Sequence, residues 1–309
     1  MKKSLPDELM FLEHHNAIQK VTNAKLQDKV IVITGATSGV GFEALKRIAQ
    51  NPVRIFIVAR NLHKAQAIKS ELKHLPAVIE FIIADFSSLH DVRRAAVEIR
   101  SQTGKIDLLI NCAGLHSTKR LLTKDGHELV FAVNHLASFL FTHLLLDTLK
   151  ASAPAKILNI NSEGHRFNGL DITDLNWKKR HYTGLRGYGA SKTAQLLCTW
   201  ELHDQLTGSG VSINAMHPGD VKTNIGQNNG WLYRILSKIV IQRFLKDPQI
   251  SGESIYYLIA DPSMDGMSGQ YFNLTHLAKP AKHALDRDLG KKVYQISQDL
   301  CECEWKPEP

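Results

Sequence analysis

The chain has 309 residues, enough to bury a large core in one α/β domain or two smaller ones. A formal charge of +8 and a pI near 9.2 suit anionic ligands such as nucleotides, or an acidic membrane surface; the basic residues are scattered, with clusters no longer than Trp177-Lys-Lys-Arg180, which argues against nucleic acid. Four cysteines (Cys112, Cys198, Cys301, Cys303) with no Cys-x-x-Cys speak against a zinc ribbon or a disulfide scaffold and fit a reducing, cytoplasmic location.

The first residues, Met1-Lys-Lys-Ser-Leu-Pro-Asp-Glu, lead into no uninterrupted apolar run, so no secretory signal is expected. Residues 1–28, with sparse apolar positions (Leu9, Phe11, Leu12, Ile18, Val21), form an amphipathic extension expected to pack on the domain surface. Val30-Ile-Val-Ile33 is a β-branched run of the kind found in strands buried on both faces. A glycine loop, Thr34-Gly-Ala-Thr-Ser-Gly-Val-Gly41, follows it and opens a helix from Phe42 to Asn51. Arg54 to Val58 is a second strand, Asn61 to Leu75 a second helix and Val78 to Ala84 a third strand.

Ser88-Leu-His-Asp91 has the pattern of a capping box opening the next helix. Ile106 to Ile110 is a fourth strand, Asp125 to Leu149 a long helix and Lys156 to Ile160 a fifth strand. The apolar stretch Phe139 to Leu149, broken by His143 and Asp147, reads as buried helix, and nowhere do about eighteen apolar residues run together as a membrane span needs. A helix carrying Tyr188 runs to Leu206, and Val211 to Met216 is a sixth strand. Strands alternating with helices at this spacing predict βαβ units: a Rossmann-like, doubly wound parallel sheet flanked by helices. No repeat or low-complexity linker divides it, so we expect a single domain over 29–275, an N-terminal extension over 1–28 and a C-terminal extension over 276–309.

Gly35, Gly39 and Gly41 follow a strand and precede a helix, the context in which glycines let backbone N–H groups approach a pyrophosphate at a helix N-terminus. After the second strand the chain reads Ala59-Arg60-Asn61, with no acid to take a ribose 2′-hydroxyl. A guanidinium there can pair with a 2′-phosphate, which points to NADP(H); the other reading of Arg60 is a solvated surface charge. Asp85, after the third strand, is a candidate acceptor for the adenine amino group or a helix cap. Tyr188 and Lys192 lie four apart on a helix, so the ammonium can approach the phenol and lower its pKa from about 10.

Together these residues resemble the short-chain dehydrogenase/reductase superfamily, over roughly Lys29 to Asn273. The matching elements are the glycine loop, Asp85, Asn111-Cys-Ala-Gly114, Asn134, Ser162, Tyr188-x-x-x-Lys192 and His217-Pro-Gly219. Val133-Asn-His-Leu136, Ser162-Glu-Gly-His165 and the long segment from Ser162 to Tyr188 are similar to the retinol-dehydrogenase-like branch. The resemblance implies hydride transfer between NADP(H) and a carbonyl or alcohol. It implies catalytic roles for Tyr188 as general acid/base, Lys192 as modulator of the phenol and ligand of the nicotinamide ribose, and Ser162 as hydrogen-bond partner of the reacting oxygen. Asn134 would hold a water that links Lys192 to solvent.

Cofactor contacts are implied for Gly35, Thr37, Ser38, Gly39, Val40 and Gly41 of the loop, for Arg60 and Asn61, and for Asp85 and Phe86. Further contacts fall on Asn111, Ala113 and Gly114, on Tyr188 and Lys192, and on Pro218, Gly219 and Thr223. Two positions depart from the family pattern: Cys112 stands where a second asparagine is usual, and Asn161 where relatives often carry a second serine. The family also implies a homo-oligomer built on the two long helices. Two other readings remain open, a catalytically idle nucleotide-binding sensor or assembly partner, and a reductase of carbon–carbon double bonds on the same scaffold.

No set of His, Asp and Glu has metal-ligand spacing, so no metal is expected. From Trp231 to Leu245 the apolar residues Leu232, Ile235, Leu236, Ile239, Val240 and Leu245 can share one helical face, with Arg234, Lys238 and Arg243 elsewhere. In the resembling family this segment covers the substrate, which would then be lipophilic. The segment would equally suit a helix packed on the core, or one lying peripherally on an anionic membrane.

Overall fold

A computed structural model describes residues 17–219 and 247–303. The β-branched runs are strands β1 (Val30–Thr34), β2 (Arg54–Ala59), β3 (Val78–Ile83), β4 (Leu108–Asn111), β5 (Ala155–Ile160) and β6 (Val211–His217). Two short strands, β7 (Tyr271–Asn273) and β8 (His276–Leu277), complete one sheet in the order β3-β2-β1-β4-β5-β6-β7-β8. All neighbours are parallel except β7 and β8.

Alternation along the strands explains why they are apolar at nearly every position. Ile31, Ile33, Ile55 and Ile57 enter one core layer, whereas Val32, Phe56 and Val58 enter the other. Helices α1 (Gly39–Ile48), α2 (Leu62–Glu71) and α6 (Gln249–Ala260) cover the first layer; α3 (Leu89–Gln102), α4 (Leu129–Ala151), α5 (Gly184–Gln205) and α7 (Arg287–Leu300) cover the second. This is the doubly wound α/β architecture expected.

Helix boundaries differ from the sequence reading where caps decide them. α4 begins at Leu129, not Asp125, because the buried Glu128 carboxylate accepts from the N–H groups of Val130 and Phe131 at 3.0 and 2.8 Å. The residues before it pair as a Leu122–Glu128 bridge around Gly126. Ser88 caps α3 by accepting from Asp91 N–H, but the reciprocal half of the capping box is missing: Asp91 accepts instead from the N–H of Asp85. α4 is long and apolar enough to cross a membrane, yet 83% of its most apolar stretch is buried inside the protein, as expected of a core helix.

The expected boundary at residue 275 falls inside the sheet, since β8 lies beyond it. α7 also belongs to the core: Val293, Tyr294 and Cys301 are buried there, and His135 and His143 of α4 lie 2.7 Å from Ser297 Oγ and 2.6 Å from the Tyr294 hydroxyl. The surface of α4 and α5 that the family resemblance offers for oligomer contacts is thus partly covered within the chain. At the other end, residues 17–28 run along the domain with Leu26 buried and the carbonyls of Thr22 and Ala24 accepting from Arg47 and Tyr256, whereas Ile18 and Val21, expected to pack, are exposed.

Candidate active site

β1 pairs with β2 on one side and β4 on the other, so chain order reverses there and a crevice opens at the strands' carboxyl ends. The glycine loop fills one side of it. Gly35 has φ +69°, and a β-carbon on it would stand 2.6 Å from Ala113 Cα; the loop can lie against the turn after β4 only because residue 35 has no side chain. Thr34 locks the two turns together, its Oγ1 accepting from the N–H groups of Cys112 and Ala113 at 3.1 and 3.0 Å.

The loop fits an anionic dinucleotide. Ser38 precedes α1 without capping it through its side chain, and no acid stands in the first turn, so the N-terminal N–H groups are left for a pyrophosphate. Thr37, Ser38, Gly39 and Val40 are partly or fully exposed along this turn, and Gly41 packs over the Cys112 thiol. Arg60 is exposed past β2, with no ion pair among the described residues, and Asn61 caps α2 by accepting from Lys64 N–H. Asp85 is exposed at the end of β3, its carboxylate taking the N–H of Ser87.

Three expected cofactor contacts sit differently. The Phe86 ring is buried against Phe141. Asn111 turns inward, donating to Thr142 Oγ1 and Asn159 Oδ1 at 2.9 and 2.8 Å, and so ties β4 to α4 and β5. Ala113 donates its N–H to Thr34 Oγ1. Pro218 and Gly219 (φ +85°) leave β6 as expected, with the Pro218 carbonyl accepting from Ser251. Thr223 and the 231–245 segment lie outside the described residues.

Ser162, Tyr188 and Lys192 come together beside this crevice. The Ser162 hydroxyl accepts from Gly164 N–H at 3.0 Å, and it flanks Gly164 together with the Tyr188 ring. Asn161, which replaces the second serine, holds Ser162 in place: its Oδ1 accepts from Ser162 N–H at 2.8 Å while its amide donates to Lys192 O and Gln195 Oε1. Burial pushes the phenol up to about 12, the Ser162 hydroxyl pulls it down, and the nearby Cys112 thiol adds to the rise.

The expected lowering by Lys192 is absent. Its Nζ is 5.9 Å from the Tyr188 ring centroid and donates to the Ile160 carbonyl at 2.8 Å and toward Gln195 Oε1 at 3.4 Å. Burial lowers Lys192 itself to about 8, with Cys112 acting in the opposite sense.

Asn134 lies in a π-helical turn, Ala132–Leu136, within α4. Its side chain is committed, accepting from Leu115 N–H at 2.8 Å and donating to Leu115 O and Ser191 Oγ at 3.0 Å each. Its link to Lys192 runs through Gln195, whose amide donates to the Asn134 carbonyl at 3.4 Å. A β-carbon on Gly114 would approach Asn134 Oδ1 to 3.3 Å and Lys192 Nζ to 4.0 Å, so a glycine there keeps the approach to the lysine clear.

Sequence reasoning missed Gln195, and it also missed Gly164 and His116. Gly164 lies directly under the Tyr188 ring: a β-carbon on it would sit 2.9 Å from Cδ1 and Cε1. The half-buried His116 meets the same ring edge-on at 5.9 Å between centroids, and burial lowers its pKa. Gly164 was visible only as part of a family motif, and His116 carried no local signal.

The short chain dehydrogenase family profile matches residues 29–230. Retinol dehydrogenase 13 from Homo sapiens is 33% identical over 285 residues, covering 90% of this chain and 86% of that one. The WW domain-containing oxidoreductase from Homo sapiens is 31% identical over 281 residues, covering 88% of this chain and 68% of that one. Among solved structures, an uncharacterized protein from Mycobacterium paratuberculosis superposes with a TM-score of 0.74 at 25% identity, covering 92% of this chain and 97% of that one. NADPH bound carbonyl reductase from chicken fatty liver shares the fold, with a TM-score of 0.62 at 22% identity over 83% of this chain and all of that one. The sheet order, the ordered motifs and these similarities agree, and the chain belongs to the short-chain dehydrogenase/reductase superfamily, in its retinol-dehydrogenase-like branch.

Proposed function

We propose that this protein is an NADP(H)-dependent oxidoreductase that interconverts a lipophilic carbonyl compound and its alcohol, with Tyr188 as general acid/base. The observation that carries the reading is the half-buried Tyr188 phenol, which flanks Gly164 together with the Ser162 hydroxyl one helical turn before Lys192, at the edge of the glycine-loop crevice. When bound, the nicotinamide supplies or accepts the hydride. The chain's own part is to orient the reacting oxygen and manage its proton. Two hydroxyls, from Ser162 and Tyr188, converge where that oxygen would lie, and the phenol is protonated at neutral pH and so ready to donate to it. Gly35, Gly39, Gly41 and Gly114 would hold the dinucleotide close to the backbone, Lys192 would meet the nicotinamide ribose, and Arg60 would meet the 2′-phosphate.

The choice of NADP(H) over NAD(H) rests on Arg60 and on the absence of an acid after β2. Arg60→Asp replaces pairing by repulsion, and charge-assisted hydrogen bonds are each worth about 1.5–3 kcal/mol. The ratio of catalytic efficiencies with NADPH and NADH should move toward NADH by several kcal/mol at most. Wild-type enzyme that already prefers NADH would overturn the assignment.

The lipophilic substrate is supported by exposed apolar side chains close in the chain to the proposed catalytic residues. Leu185, one turn before Tyr188, and Phe167, at the end of the Ser162 turn, are 67% and 58% exposed. A panel of lipophilic aldehydes, ketones and alcohols, each tested with both cofactors, examines the reading as a whole. In a series of aldehydes of growing chain length, catalytic efficiency should rise by up to about 0.8 kcal/mol per buried CH₂ until the pocket is filled. A flat or falling series means a small, polar substrate.

A further inference from the structure

We propose that His165 is a positioning residue through which the C-terminal segment Lys279–His283 sets where the Ser162 hydroxyl stands. The inference deepens the function proposed above and rests on it. Ser162 opens a 3-10 turn, Glu163–Phe167, and His165 in that turn is fully buried.

The ring of His165 bridges two main chains. Its Nε2 lies 3.0 Å from the N–H of Ala281, which can only donate, so Nε2 is the bare nitrogen. The proton is therefore on Nδ1, which donates to the Ser162 carbonyl at 2.7 Å. Two more bonds fasten the same turn to the same segment: His283 Nε2 donates to His165 O at 2.8 Å, and Arg166 donates to Lys279 O at 2.7 Å. The His165 carbonyl also accepts from Thr193 Oγ1 at 3.3 Å, one residue past Lys192 on α5. Three stretches of chain therefore meet at one imidazole: the Ser162 turn, the catalytic helix and the C-terminal segment.

The charged and titratable groups facing His165 are Glu163 and Arg166 of its own turn and His283 of the C-terminal segment; from β7, the Tyr271 ring packs edge-on at 5.4 Å. Glu163 is itself fixed, paired with Arg166 and accepting from the Tyr271 hydroxyl at 2.9 Å. Burial, with Arg166 and His283 acting in the same direction, lowers His165 to about 4, so the neutral ring and its single tautomer persist through the working pH range. The consequence at the site is specific. Ser162 is the group that pulls the Tyr188 pKa down, so a Ser162 turn released from its anchor leaves the phenol harder to ionise.

The test uses the full chain and the best carbonyl–alcohol pair from the panel. In His165→Leu, kcat should fall by about 10²-fold, the loss associated with misplacing a reacting group by about 1 Å, while the cofactor KM holds. The rising limb of the pH profile for alcohol oxidation should move to higher pH. His165→Asn, which keeps a donor near the Nδ1 position, should recover most of kcat and return the limb. A fall in kcat with an unmoved limb and no recovery in His165→Asn would reduce His165 to ordinary core packing and overturn the proposal. Should His165→Leu fail to fold, His283→Ala decides, because it removes one tie from a half-buried ring: a smaller shift of the limb in the same direction supports the role, and an unmoved limb overturns it. A Tyr188→Phe enzyme with normal turnover would instead refute the underlying functional reading, whatever the His165 variants do.

Discussion

Tyr188→Phe is expected to lower turnover by about 10²- to 10⁴-fold while cofactor affinity and thermal stability stay close to wild type. Phenylalanine fills the same space over Gly164 and beside His116, and only the hydroxyl is lost. The effect should depend on direction and on pH. With its pKa pushed up to about 12 by burial in the free protein, the phenol carries its proton at neutral pH and can donate during carbonyl reduction. Alcohol oxidation needs the deprotonated phenol, so its rate in wild type should climb with pH, and that climb should vanish in Tyr188→Phe. Steady-state kinetics in both directions, with melting curves and cofactor titration alongside, measure all of this. A loss smaller than about tenfold would remove Tyr188 from the role of general acid/base.

Gly164→Ala is expected to act nearly as strongly without removing any functional group. The added methyl would stand 2.9 Å from two ring carbons of Tyr188 and 3.3 Å from Ser162 Oγ. Contacts that close force a shift of the ring, of the turn, or of both, and the His116 ring leaves Tyr188 little room to retreat. A displacement near 1 Å at reacting groups can lower the rate by about 10²-fold. The variant should therefore lose kcat by about that factor. Its cofactor KM should hold, and its stability should fall by about 1–3 kcal/mol, as overpacking generally does. An unchanged kcat would mean that the Ser162 turn is pliant, which would also weaken the case for His165 as its anchor.

The sequence by itself determined the layout of this protein. Parallel strands covered on both faces must be apolar throughout, so runs such as Val30-Ile-Val-Ile33 announced a doubly wound sheet before any contact was known. The glycine loop, Ser162, Tyr188 and Lys192 were legible for a similar reason, because the chemistry of each lies in a short local motif that the fold has only to bring to one crevice. Tertiary structure decided what depends on side-chain reach and on distant partners. A spacing of four places two residues on one helical face, but it does not say where a long lysine ends: Lys192 reaches the Ile160 carbonyl, and the phenol pKa rises where the spacing predicted a fall. Asn111 and Asn134 look like ligand groups in a motif, yet the Asn111 amide nitrogen and the Asn134 side chain are engaged in internal hydrogen bonds. The start of α4 was set by the Glu128 carboxylate returning to its own helix, a cap that helical periodicity does not reveal. The tie from Ala281 to His165 spans 116 residues of chain, and only the packing of the C-terminal segment against the Ser162 turn brings the two together.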